Sequence, residues 1–260
     1  MDPLSDALRF IGFEAGFSGK TVTGAPFTAN ISTHITHTLA GGNRINVSTS
    51  GTIARDSQGR TRRDVTLPAI GPWADAVNTP HAIFISDPVS RTFFIVNTNR
   101  KVAHEVQPWN PAGEAGRMRQ FGEGREDKKN EVTTDLGTKT INGVSARGTR
   151  VTRTIPAGAI GNEKPIKIVT ERWFSPDLQM NVLVKRSNPL VGETLFELTN
   201  IERREPDASL FKVPSNYTIR QGGPGGPRAA TRRHVRRQPP ASPSQENAPE
   251  NPPPAQEPQQ

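Results

Sequence analysis

The chain has 260 residues, long enough to bury one sizeable core with an appendage. Only 32% of its residues are hydrophobic, and it carries 24 Pro and 23 Gly, a composition too poor in apolar side chains to fill two cores. It contains no Cys, which excludes disulfides, thiol nucleophiles and cysteine metal sites. No window approaches the roughly 18 consecutive apolar residues that a membrane helix needs.

The formal net charge is +8. Residues 221–260 hold five Arg and three Glu, which is +2, so +6 remains on the first 220 residues and the excess is spread along the chain. A basic balance favours contact with nucleic acid, anionic lipid or acidic polymers, but says nothing about fold.

In chain order, Met1-Asp-Pro-Leu-Ser-Asp-Ala-Leu-Arg-Phe-Ile predicts a short amphipathic N-terminal helix. Asp2 caps it, Pro3 suits its first position, and Leu4, Ala7, Leu8 and Ile11 recur at helical spacing. The segment lacks the basic and apolar regions of a secretory signal.

From Pro26 the period changes to two. Phe27, Ala29, Ile31, Thr33, Ile35, His37 and Leu39 alternate with polar residues, which is the pattern of a half-buried strand. Ala40-Gly41-Gly42-Asn43 supplies a turn, and Ile45, Val47, Thr49 and Ile53 resume the alternation, predicting a hairpin. Gly51 interrupts the second strand and is expected to mark a bulge or bend. Asp56-Ser-Gln-Gly59 reads as a tight turn into a third strand, 60–67.

Further strands are expected at 82–86, 92–97, 101–106, 133–141, 144–155, 166–174, 181–185 and 193–201, and one helical turn at 206–211. Residues 108–130, rich in Gly and mixed charge, predict a mobile loop. Residues 221–260 contain ten Pro and six hydrophobic residues and predict a disordered Pro/Gln/Arg-rich tail.

The expected fold is therefore mainly β: a curved antiparallel sheet or half-barrel of about ten strands within a 1–220 domain, a short N-terminal helix, and the tail.

Three stretches go beyond pattern: Arg-Asp-Ser-Gln-Gly-Arg-Thr-Arg-Arg (55–63), Thr-Ile-Pro-Ala-Gly-Ala-Ile-Gly-Asn-Glu (154–163), and Glu-Arg-Trp-Phe-Ser-Pro-Asp-Leu-Gln (171–179) together with Asp207 to Tyr217. They resemble a family of mostly exported bacterial proteins of acidobacterial type, and this resemblance implies a periplasmic or cell-envelope location. A strand ending Arg-Trp-Phe-Ser-Pro-Asp, two more strands and a closing Ser-Leu-Phe-Lys-Val-Pro also resemble the C-terminal half of the periplasmic lipoprotein-carrier superfamily. That resemblance implies a half-barrel whose apolar face holds acyl chains. The sequence departs from it in lacking obvious long lid helices.

Catalytic devices are sparse. His34 and His37 lie on opposite sides of a strand and cannot share a metal, and His81 and His104 have no ligand-spaced partner, so no metal site and no cofactor is expected. Glu171, Asp177, Glu193 and Glu197 are the candidates for a carboxylate pair, but read better as turn caps and partners for Arg. Neither a nucleophile elbow nor a phosphate-binding loop is present.

The candidate ligand-lining residues are Ile31, Ile35, Val47, Ile53, Phe196 and Leu198, each on the apolar side of an alternating strand. Arg55, Arg60 and Arg62 surround one turn and are the candidate anion contacts, with surface pairing to Asp56 and Asp64 as the alternative. The expected function is a non-enzymatic binding or scaffold protein of the cell envelope, with a lipid or other apolar ligand, or an envelope protein, as partner. The rival is a nucleic-acid or anionic-membrane binder using Arg228, Arg232, Arg233, Arg236 and Arg237 of the tail.

Overall fold

The computed structural model describes residues 21–39, 41–66, 81–106 and 130–222. They form a mainly β protein of twelve strands: β1 (Phe27–Thr38), β2 (Arg44–Arg55), β3 (Thr61–Thr66), β4 (His81–Asp87), β5 (Thr92–Asn97), β6 (Val102–Val106), β7 (Glu131–Ile141), β8 (Val144–Ile155), β9 (Ile166–Ser175), β10 (Met180–Asn188), β11 (Gly192–Glu202) and β12 (Thr218–Gln221). All twelve join one open, curved sheet in the order β12-β6-β5-β4-β3-β2-β1-β11-β10-β9-β8-β7.

This order is two meanders fused at a seam. Strands β1 to β6 run outward one way and β11 back to β7 run outward the other, and the seam is the antiparallel pairing of β1 with β11. Residues 67–80 join β3 to β4 and residues 156–165 join β8 to β9, while turns of two to five residues make the other hairpins. Asn142 and Gly143, with φ of 49° and 84°, form the two-residue loop that joins β7 to β8, because both positions need the left-handed region.

Strand alternation then sorts side chains onto two faces. On one face, Leu198, Ile31, Gly51, Val65 and Ala82 lie in one row across β11, β1, β2, β3 and β4. Val184, Phe196, Thr33 and Thr49 form the next row, and Arg186, Thr194, Ile35 and Val47 the one beyond. Ile31, Val65, Val184, Phe196 and Leu198 are buried there within the larger core cluster. Each such side chain contributes about 1.5–3 kcal/mol relative to leaving it in water, so these rows hold the seam together.

The other face is polar at the seam, with Asn30 and His34 exposed, and turns apolar over β4 to β6. There Ile83, Ile85, Val96 and Ala103 are buried beneath Val213 and Tyr217. The covering segment starts with a 3-10 turn over Ala208–Phe211, capped by Asp207, whose carboxylate accepts from the Ser209 amide at 2.7 Å. Arg62 donates to Leu210 O at 3.1 Å, fastening that turn to β3.

Two expectations are corrected. The sheet has twelve strands rather than about ten, and it is not wholly antiparallel: β12 runs parallel to β6, with Thr218 opposite Val102. Gly51 is in regular register with both neighbours and marks no bulge. Its hydrogen lets β3 approach, since a Cβ at that position would lie 2.0 Å from Asp64 O. The register shifts fall instead at Thr28/Asn30, Asn181/Leu183 and Asp135/Gly137.

The expected N-terminal helix lies outside the described residues. So do the loop at 108–130, apart from Asn130, and the tail beyond Gly222; β12 itself ends on Gln221.

Candidate functional site

All six candidate lining residues lie on the same face. Ile31, Ile53, Phe196 and Leu198 are buried, while Ile35 and Val47 sit opposite each other and are half-buried. Burial falls along β1, from Phe27 at 1% exposed through Ile31 at 6% to half-buried Ile35, and Leu39 just past the strand is 39% exposed. The apolar face is thus sealed at one end and opens toward the β1–β2 turn.

Two devices seal it. Arg55, at the end of β2, donates from Nε and Nη2 to Ala25 O at 3.0 and 2.8 Å, and from Nη2 to Leu178 O. Its guanidinium stands 4.9 Å from the centroid of the Phe27 ring. Burial pushes its pKa down to about 10, so it remains protonated at neutral pH, held by carbonyls and a ring face. From the other side, the tip of the β7–β8 hairpin reaches the second half of β11: Asn142 Nδ2 donates to Leu198 O at 2.6 Å and to Glu197 Oε1 at 3.0 Å. Leu198 lies just past the last β10–β11 register pair, Leu183 with Glu197, which leaves its carbonyl open to Asn142.

The face is not purely apolar. Thr33 and Thr49 pair across strands and are buried, and Arg63, also buried on this face, has its pKa pushed down to about 10 by desolvation. Sequence reading missed Val184 and Val65 as members. Val184 escaped because the bulge at Asn181/Leu183 breaks the alternation from which it would have been read. Val65 sits in a regular Thr-Arg-Arg-Asp-Val-Thr strand, where the charged neighbours hid the pattern.

Arg55, Arg60 and Arg62 do not form one cradle. Arg55 pairs in register with Thr61 and Arg62 with Ala54, which puts the two arginines on opposite faces. Arg60 Nε meets Asp56 Oδ2 at 2.5 Å and its guanidinium lies 5.3 Å from the Phe211 ring centroid. Arg62 is shared between Asp64, at 3.2 Å, and Leu210 O. Each is drawn to a fold contact.

The acidic candidates are scattered. Glu171 pairs with Arg150 at 2.6 Å, Asp177 with Arg203 at 3.0 Å, and Glu197 accepts from Asn142. Glu193 lines a shallow polar depression of about 340 Å³ with Thr36, Arg44 and Ser187. His34 bonds Ser48 on the polar face and His37 donates to Val191 O at 2.8 Å from the other. No group of three or more potential metal ligands occurs among the described residues.

No family model matches the chain, and no curated protein matches it in sequence. Among solved structures it is similar to a chain of the Pseudomonas aeruginosa MucA/MucB complex, with 10% identity and a TM-score of 0.40 over 84% of this chain and 63% of that one. It is also similar to LprF from Mycobacterium bovis, with 12% identity and a TM-score of 0.32 over 82% of this chain and 98% of the other. A third similarity is to a LolA superfamily protein from Nitrosomonas europaea, with 6% identity and a TM-score of 0.30 over 75% and 93%. The chain spans a little under two-thirds of the matched chains in the MucB structures.

Proposed function

We propose that this protein is a non-enzymatic binding protein of the bacterial cell envelope that takes an apolar ligand, with an acyl chain as the fitting class, against the face formed by β11, β1 and β2. The observation that carries this is the one-way burial along that face: sealed at Phe27 by Arg55, opening at Ile35 and Val47. An ordinary core is closed at both ends. A face that opens at one end lets a chain slide in lengthwise and replace water against apolar side chains. Envelope location rests on the sequence resemblance of the 55–63, 154–163 and 171–179 stretches.

The test is native mass spectrometry and organic extraction of the full chain, followed by titration with a fluorescent fatty acid. Retained acyl species and saturable uptake are expected, and Val47→Trp, which fills the open end, should lower uptake at least several-fold. A ligand-free protein that takes up no probe would overturn the reading. Co-purified nucleic acid in its place would favour the tail-borne rival.

A further inference from the structure

The open end of the apolar face continues into an exposed apolar rim, and we propose that this rim docks the protein on an anionic membrane surface. Two hairpin tips build it. Leu39, 39% exposed, opens the β1–β2 turn and Ile45, 42% exposed, lies at the start of β2; the β10–β11 turn carries Leu190, 47% exposed. The tips are neighbours because β1 pairs with both β2 and β11. His37 Nδ1 donates to Val191 O at 2.8 Å, and a Cβ on Gly192 would lie 2.2 Å from Thr36 O, so the turns are pressed together. Ile45 lies directly opposite His37, on the face that carries Ile35 and Val47.

Leu39 precedes Gly41 and Gly42, both with positive φ, in this turn. Leu190 follows Pro189 in a turn whose polar capping is done by Asn188, which accepts from the Leu190 amide at 3.0 Å.

Charge selects the partner. Arg44 at the start of β2 and Lys185 and Arg186 in the second half of β10 lie toward this end, with two carboxylates, Glu193 and the Arg150-paired Glu171 opposite Lys185, so this end keeps a cationic excess. The opposite end of the seam strands is balanced: Asp56, Asp177, Glu202 and Glu205 sit there with Arg55, Arg60, Arg203 and Arg204. Apolar side chains at an end with a cationic excess fit an interface where acyl chains begin just below anionic headgroups. This inference does not depend on the ligand reading: the rim would dock whether or not the face behind it holds an acyl chain. If both hold, the open end of the face meets the source of its ligand.

The test uses the full chain and vesicles of phosphatidylcholine, with or without 30 mol% phosphatidylglycerol, in a sedimentation assay at two salt concentrations. Binding to the anionic vesicles that weakens with salt is expected. The double variant Leu39→Ser/Leu190→Ser should bind about ten-fold more weakly, and Val89→Ser, at an exposed apolar site on another turn, should bind as the parent does. A third variant replaces the five tail arginines with Ala and should keep most of the binding. Because Leu39 and Leu190 are exposed, thermal melts should show all variants folded. A rim variant that binds like the parent, loss of binding in the tail variant alone, or a parent that does not bind would each overturn the proposal. Acyl extraction on the same samples reports separately on the ligand reading.

Discussion

Arg55 stacks on Phe27, 4.9 Å from the ring centroid, while its Nη2 bridges Ala25 O and Leu178 O, so one side chain ties the start of β1 to the β9–β10 turn, 123 residues away from Arg55 in sequence. A buried cation is costly unless its donors are matched, and here they are matched by neutral carbonyls. Replacing it with Met leaves two buried acceptors without donors. Arg55→Met should lower unfolding free energy by about 2–4 kcal/mol in urea denaturation. Lys cannot supply the forked donor geometry, so Arg55→Lys should recover little of it; full recovery by Lys would refute this role.

Gly51 is required by the approach of β3. Gly51→Ala would place a methyl 2.0 Å from a backbone oxygen that cannot move without shifting the strand. The cost should reach about 1–3 kcal/mol or more, the range for overpacking. Gly143→Ala meets nothing within 4 Å and is strained only by its φ of +84°, so it should cost about 1–2 kcal/mol. Equal stability of Gly51→Ala and the parent protein would contradict the observed strand spacing.

Leu198 is fully buried opposite Ile31 on the seam between the two meanders. Leu198→Ala should destabilise by about 2–5 kcal/mol, as for other large-to-small core changes. The same seam joins both halves of the sheet, so the loss should appear as a shift of one cooperative transition. Two separated transitions would show that the meanders unfold independently.

Asp207 predicts a pH effect. Hydrogen bonds from the Ser209 amide and hydroxyl hold its carboxyl below the usual carboxylate range. A carboxylate whose folded pKa is depressed contributes stability above its unfolded pKa, and that contribution is lost as pH falls from the ordinary value of 3.8 through the folded one. Asp207→Ala should therefore melt at a lower temperature than the parent protein at pH 6, and the gap should shrink as pH falls below 3.8. A gap that persists at low pH would mean that the side chain acts through something other than its charge.

Much of the strand architecture was legible because alternation is a local signal. Phe27 to Leu39 reads as a strand from its own residues, Asn142-Gly143 reads as a two-residue turn from its chemistry, and Ile31, Phe196 and Leu198 fall on the apolar sides of their strands. The opposite faces of His34 and His37 follow from the same period. Long-range events left no such trace. β12 has four exposed residues and no apolar pattern, and it exists because its backbone pairs with β6 more than a hundred residues earlier. Which face each arginine around the 56–59 turn takes relative to Arg55 also waited for pairing of β2 with β3, which sends Arg55 and Arg62 to different faces.

The sequence by itself determined which segments extend, where they turn, and which side of each strand is apolar, because φ/ψ preference and side-chain period act over a few residues. Only the tertiary structure decided that two meanders join through β1 and β11, that Asn142 and Arg55 fasten one end of the apolar face, and that the β1–β2 and β10–β11 turns lie side by side at the other. Those outcomes depend on register between strands far apart in the chain. Register is chosen by the summed burial of whole rows, a quantity no short stretch of sequence contains.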